Sequence, residues 1–246
     1  EGMRVLAWAQ QMQDDCNGLE RELSVLKRGL EGQFRLGVQP GSLGVAPILS
    51  VALSEKIPRL KQSIVIASSP SLFQAIKGHE IDVALAYLEN LNEGTFDTHL
   101  LYRERIFLFQ TKTIKQSSSV TWEEVVNKQL CILNSSLPDD VDARLLQSSE
   151  HNIRTDSMDV LAAQVATGKY SAVLPQSLAG HLAEIAQLRA IAIRGPSSHA
   201  NVGFIAEKGT FDSSPSRALL EMVHAHDLVA SIRAVMSIHR RFRPKN

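Results

Sequence analysis

Cysteine is nearly missing from this chain: two in 246 residues, Cys16 and Cys131, with no C-x-x-C pair. That excludes a disulfide framework and a cysteine-rich zinc site, and it fits a reducing cytosol. An excess of charge is missing too. Lysine plus arginine number 26 and aspartate plus glutamate 26, so the chain as a whole lacks the positive field of a nucleic-acid binder. No apolar run approaches the roughly 20 residues of a membrane span, and no charged n-region with an apolar h-region opens the chain. No membrane partner is expected. The sequence also lacks G-x-S-x-G, G-x-G-x-x-G and G-K-[ST], which leaves no nucleophile elbow, no dinucleotide fingerprint and no P-loop. His224 and His226 stand two apart on a predicted helix, point in different directions and make a poor metal pair. Catalytic residues, metal and cofactor are therefore expected to be none. No solenoid period and no low-complexity segment occurs.

What is present is ordinary globular composition, 44% apolar and 21% charged, long enough for one large domain or two lobes. The first thirty residues differ from the rest. Val5, Ala9, Met12, Cys16, Leu19, Leu23, Leu26 and Leu30 follow one another by alternating steps of four and three, an a/d heptad over four repeats. A seam that narrow, on a helix otherwise rich in Gln, Asp, Glu, Arg and Lys, predicts pairing with a second copy rather than packing on its own body. Residues 1–31 are thus read as a dimerisation helix. The chain starts at Glu1, which points to a piece of something longer.

After Gly32 the period changes. Strands are predicted at 34–38, 63–68 and 81–87, with helices at 42–57 and 69–80. Ser69 or Ser71 stands near the cap of the second helix and Pro70 in its first turn. Strand, helix, strand, helix, strand implies a parallel sheet with right-handed crossovers. Extended runs at 98–102 and 105–112 follow. A second series has helices at 121–127, 138–149 and 157–169 and strands at 130–136, 152–156, 170–175, 188–193 and 201–208. One long helix from Ser214 closes the chain. The runs 105–112 and 201–208 sit where the chain would cross between two lobes, which makes a hinged cleft. The expected division is lobe I at 32–109 plus 207–246, and lobe II at 110–206.

The stretch Arg35 to Gly44, "RLGVQPGSLG", turns from strand to helix through glycines. Gly41 permits a tight turn, and Ser42 is expected to open the helix. Ser68, Ser69 and Ser71 open the next one. In a parallel sheet both starts lie beyond the strand C-termini, where such sheets bind ligands. Peptide N–H groups, hydroxyls and two helix dipoles converge there. Asn134, Ser135, Ser136 and Ser157 repeat the arrangement in the second series. The lining suits a small polar ligand such as a carboxylate or inorganic anion. Asp139 and Asp140 either complement their helix N-terminus or admit a positive group.

In order and spacing the chain resembles the LysR-type transcriptional regulators of bacteria, specifically the linker helix plus effector-binding domain. The resemblance covers essentially the whole chain. It is carried by "GQFRLGV" (32–38), "IP" (57–58), "LFQAIKGHEIDVALAY" (72–87) and "VATGKYSAVLP" (165–175). It departs at Lys169-Tyr170-Ser171, where the family commonly has glycine. The resemblance implies an α/β, two-lobed fold like that of periplasmic binding proteins, with parallel-sheet lobes preceded by a long linker helix. It further implies a cytoplasmic, non-enzymatic homodimer or homotetramer whose cleft binds a small-molecule effector. DNA would be contacted only through a winged helix-turn-helix that residues 1–246 do not contain. Carried over position by position, the effector contacts fall on Gln39, Gly41, Ser42, Ser69, Ser71, Asn134 and Ser135. A periplasmic-type solute-binding protein is the alternative, but it would have no use for a self-pairing heptad.

Overall fold

The computed structural model describes residues 2, 5, 8, 9, 12, 32–89, 91, 94–111, 119–146, 152–183, 185, 188–212, 214–223, 226–238 and 242. Gly2, Val5, Trp8, Ala9 and Met12 are helical and exposed; Val5 and Met12, both on the predicted seam, are each 67% exposed. The seam positions Cys16, Leu19, Leu23, Leu26 and Leu30 lie outside the described residues.

Lobe I opens with β1 (Gln33–Val38), a 3-10 turn (Pro40–Ser42) and α1 (Ala46–Lys56). Then come β2 (Lys61–Ile66), α2 (Ser69–Lys77) and β3 (Val83–Tyr87). β1 pairs in parallel with both β2 and β3, as two right-handed crossovers require. β4 (Phe96–Thr111) is one 16-residue strand where the sequence suggests two runs. It pairs antiparallel with β10 (His199–Glu207) up to Arg105. From Ile106 it pairs with β8 (Ala172–Pro175) and β9 (Leu188–Arg194) of lobe II. Neither lobe is therefore purely parallel. The strands that carry the chain across and back run against their neighbours, and β10 also lies antiparallel to β3.

Lobe II adds β5 (Ser119–Thr121), parallel to β9, and a parallel pair, β6 (Cys131–Leu133) with β7 (Ile153–Thr155). Its helices are α3 (Trp122–Val126), α4 (Asp139–Leu146) and α5 (Met158–Ala166). α3 starts in a capping box: Thr121 accepts from the Glu124 N–H, while the Glu124 carboxylate accepts from the Thr121 N–H. A 3-10 segment, Gln176–Leu182, follows β8. At the C-terminal end the described residues form α6 (Ser214–Val223) and α7 (His226–Ser237), where one long helix is expected; positions 224 and 225 between them lie outside the described residues. Both helices pack on α1, which closes the lobe I core around Leu49, Leu53, Phe204, Leu219 and Ile232.

Two starts differ from the sequence reading. Ser42 does not open α1; it belongs to the 3-10 turn, and the helix begins four residues later with Pro47 in its first turn. Ser68, rather than Ser69 or Ser71, caps α2: its extended backbone lets its hydroxyl accept the Ser71 N–H.

Candidate functional site at the lobe seam

The turn after β1 faces the turn after β6, and the two lobes meet there. Gln39 is 2% exposed and spans the seam. Its Oε1 accepts from the Tyr87 peptide N–H (3.0 Å) and from Ser69 Oγ (2.9 Å), and its Nε2 donates to the Ser135 carbonyl of lobe II (3.1 Å). The amide's orientation follows from its partners, because a peptide N–H can only donate. Ser135 has a positive φ of 55°, uncommon for a residue with a side chain. Beside it, Tyr87 Oη donates to the Ser136 carbonyl at 3.0 Å. Burial, with Glu104 adding to it, pushes the Tyr87 phenol well above its ordinary value, so it remains a donor.

Gly41 is needed here for room rather than for a turn. Its φ is not among the positive ones, but a Cβ would overlap the Ser136 carbonyl oxygen and stand 2.8 Å from Tyr87 Oη. Gly44 is likewise pressed against the Ser177 carbonyl. Ser177, in the 3-10 segment of lobe II, donates its Oγ to the Gly41 carbonyl (3.0 Å) and its N–H to Glu104 Oε1 (2.8 Å). Glu104, Tyr102 and Ser42 form a buried polar group behind this contact. Ser42 Oγ, Tyr102 Oη and Glu104 Oε2 make no hydrogen bond within 3.5 Å. Burial pushes the Glu104 carboxyl up to about 8, against smaller opposing effects of the Ser177 bonds. Burial also raises the Tyr102 phenol, with Glu104 second.

At the mouth, Ser69, Pro70, Phe73, Tyr87, Glu89, Pro138 and Asp139 line a crevice of about 40 Å³, room for a few waters or one small polar group. One Glu89 oxygen accepts from the Asn201 N–H (2.6 Å).

The candidate residues therefore divide. Gln39, Ser69 and Ser135 are joined in one cluster, and Gly41 lies against it. Ser42 is buried behind it, close to Tyr102. Ser71 is exposed and pairs with Ser68 (Oγ to Oγ 2.9 Å). Asn134 faces its own lobe, donating to Asp156 (2.9 Å) and accepting from Arg154 (3.0 Å). Tyr87, Glu89, Tyr102, Glu104 and Ser177 went unread in the sequence. Tyr87 had a signal, since it ends a strand at the edge where such sheets bind ligands. Among the described residues no group of His, Cys, Asp and Glu could hold a metal, and no helix is long and apolar enough to cross a membrane.

Comparison with known proteins agrees with this architecture. The family model for the LysR substrate binding domain matches residues 27–227. No curated protein matches. Among solved structures, a cysteine mutant of Corynebacterium glutamicum OxyR aligns with TM-score 0.69 at 16% identity, covering 98% of this chain and 77% of the other. A full-length OxyR variant from Pseudomonas aeruginosa aligns with TM-score 0.68 at 20% identity, covering 100% and 79%. The C-terminal domain of a probable LysR family transcriptional regulator from Rhodococcus sp. RHA1 aligns with TM-score 0.64 at 18% identity, covering 79% and 99%. The family match separates the chain from the periplasmic solute-binding alternative. With 27–227 matched, this two-lobed chain belongs to the LysR substrate-binding domain family, the effector-sensing regulatory part of a transcriptional regulator.

Proposed function

We propose that the two lobes close around a small polar effector at the Gln39–Ser69–Ser135 seam, and that this closure is the signal passed to promoter DNA. The observation that carries the reading is the convergence of three turns, distant in sequence, on one buried amide. Contacts are assigned to Gln39, Ser69 and Ser135, with Gly41 against them, Ser42 behind them in support, and Ser71 and Asn134 farther out. Hydroxyls and the start of α2 favour a negative group on the ligand. Glu89 and Asp139 in the same crevice favour a positive one, which puts zwitterions ahead of simple anions. The hinge between lobes lies where β4 changes partners at Arg105/Ile106, a few residues before the division at 109/110 expected from sequence. β10 pairs with β3 and β4, which supports a return crossing near its start.

Residues 1–31 join two copies into a homodimer or homotetramer, and DNA is reached through a winged helix-turn-helix outside residues 1–246. The protein acts in the cytoplasm without enzymatic activity. Thermal-shift screening with amino acids, small carboxylates and inorganic phosphate tests the site, because a ligand selective for the folded state raises its melting temperature. A shift with an amino acid that Ser69→Ala abolishes supports the reading. A set of probes giving no shift, or a shift untouched by Ser69→Ala, overturns it.

A further inference from the structure

Behind the mouth of the cleft the lobes are fastened a second time. Glu104 is fully buried on β4, one residue before Arg105, where that strand changes lobes. It takes the Ser177 N–H of lobe II, while the Ser177 hydroxyl holds the Gly41 carbonyl of lobe I. No ion pair reaches Glu104 among the described residues.

The groups set against it are neutral. Tyr102 shares its strand face, Ser42 comes from the first turn, and Tyr87 ends β3, on the far side of β10. Glu89, the next acid along, bears on Tyr87. Arg103 and Arg105 point to the opposite face by strand alternation and act instead on His199. His181, at the far end of the Ser177 segment, is exposed. An ionised carboxyl in this place would lack both water and a counter-charge, so the neutral acid is the stable form. As an acid, Glu104 still accepts through Oε1 and carries its proton on Oε2, the oxygen left without a partner.

We propose that the Glu104–Ser177–Gly41 link makes lobe closure proton-linked: Glu104 is a neutral acid while the lobes are together, and it ionises when they part. This rests on the reading that the lobes open and close, but not on which effector they close upon. In the closed form Glu104 holds its proton up to about pH 8; exposed to water it would release it near the ordinary 4.5. Between those values the closed form binds the extra proton, so rising pH favours parting. The same sign holds for folding. The stability contributed is full below about 4.5 and is lost as pH rises through about 8.

The test needs no effector. Small-angle scattering and infrared spectra of the 246-residue chain are taken at about pH 6 and about pH 9. The wild type is expected to show a protonated-carboxyl band at the lower pH that disappears at the higher, together with an increase in radius of gyration. Glu104→Gln keeps the Ser177 bond without a titrating proton. It is expected to lack that band and to keep one radius at both pH values. Three results overturn the proposal: no Glu104-dependent band at the lower pH, a band that titrates with no change of radius, or Glu104→Gln expanding like the wild type. If Glu104→Gln does not fold, the wild type decides, since band and radius must change together. A chain that binds a zwitterion in the thermal-shift screen yet keeps one radius refutes this inference alone. A chain that expands with pH but binds no probe refutes only the effector reading.

Discussion

The side-chain amide of Gln39 and the backbone carbonyl of Ser135, 96 residues apart in the chain, form a hydrogen bond of 3.1 Å across the lobe seam. The bond exists because the β1 turn brings Gln39 to the C-terminal edge of one sheet, while Ser135 lies in the turn after β6 in the other lobe with left-handed backbone. Ser69 and the Tyr87 N–H hold the other end of the amide.

Gln39→Ala should therefore cost more than a surface substitution. It leaves the Tyr87 N–H buried and unpaired, a loss of about 1–3 kcal/mol. Urea denaturation of the two proteins measures it. Gln39→Glu should not rescue, because a carboxylate cannot donate to the Ser135 carbonyl.

Gly41→Ala tests close approach instead of hydrogen bonding. The added methyl would meet the Ser136 carbonyl and Tyr87 Oη, groups from both sides of the seam. Overpacking of this kind costs about 1–3 kcal/mol, and here the cheaper relief is separation of the lobes. Scattering should show a larger radius of gyration for Gly41→Ala. Gly78→Ala serves as the control. Its nearest neighbour is the Gln74 carbonyl at 3.4 Å, and its φ is an ordinary −81°; it should leave the radius unchanged.

Much of the fold was legible because period and punctuation report local structure. Leu72 and Ile76 mark the buried side of α2, and the run from Val83 to Tyr87 is buried at every position, as a central strand should be. What could not be read is what depends on contact across the seam. Gly41 looked like a turn residue, yet its requirement comes from Ser136, 95 positions later. Ser42 looked like a helix cap, but Pro47 sets the start of α1, and the Ser42 hydroxyl is buried beside Tyr102. Ser177 sat in a stretch with no periodicity at all.

Arg35 and Asp82 were each part of a family-like motif, with no physical reason visible in either. The structure supplies one. Arg35 Nη2 meets Asp82 Oδ1 at 2.7 Å, and Asp82 Oδ2 accepts the Arg35 peptide N–H, also at 2.7 Å. The carboxylate thus fastens the loop before β3 to β1. Asp82→Ala removes these bonds and the third, from Arg35 Nε to Oδ2, at a partly buried place and should cost about 1–3 kcal/mol in urea denaturation. Asp82→Asn should lose less, since its carbonyl can still accept the peptide N–H. Equal losses for the two would show that the ion pair, rather than the peptide bond, dominates.

Cys131 tests whether a thiol packed into the lobe II core can react. Thiols react as thiolates, and reactive ones are exposed and held in electropositive surroundings. Cys131 is buried in β6 among Leu133, Leu161 and Val165, and burial pushes its thiol up. It is a packing residue. In a Cys16→Ser background, treatment with hydrogen peroxide or iodoacetamide at about pH 8 should add no mass to the folded chain, while in urea alkylation should go to completion. Cys131→Ser should keep ligand binding but lose about 1–3 kcal/mol of stability, because a hydroxyl replaces an apolar sulfur in a dry core. Rapid modification of Cys131 in the folded chain would place a reactive thiol where the packing allows none, and the signal would then have to be sought in lobe II instead of the seam.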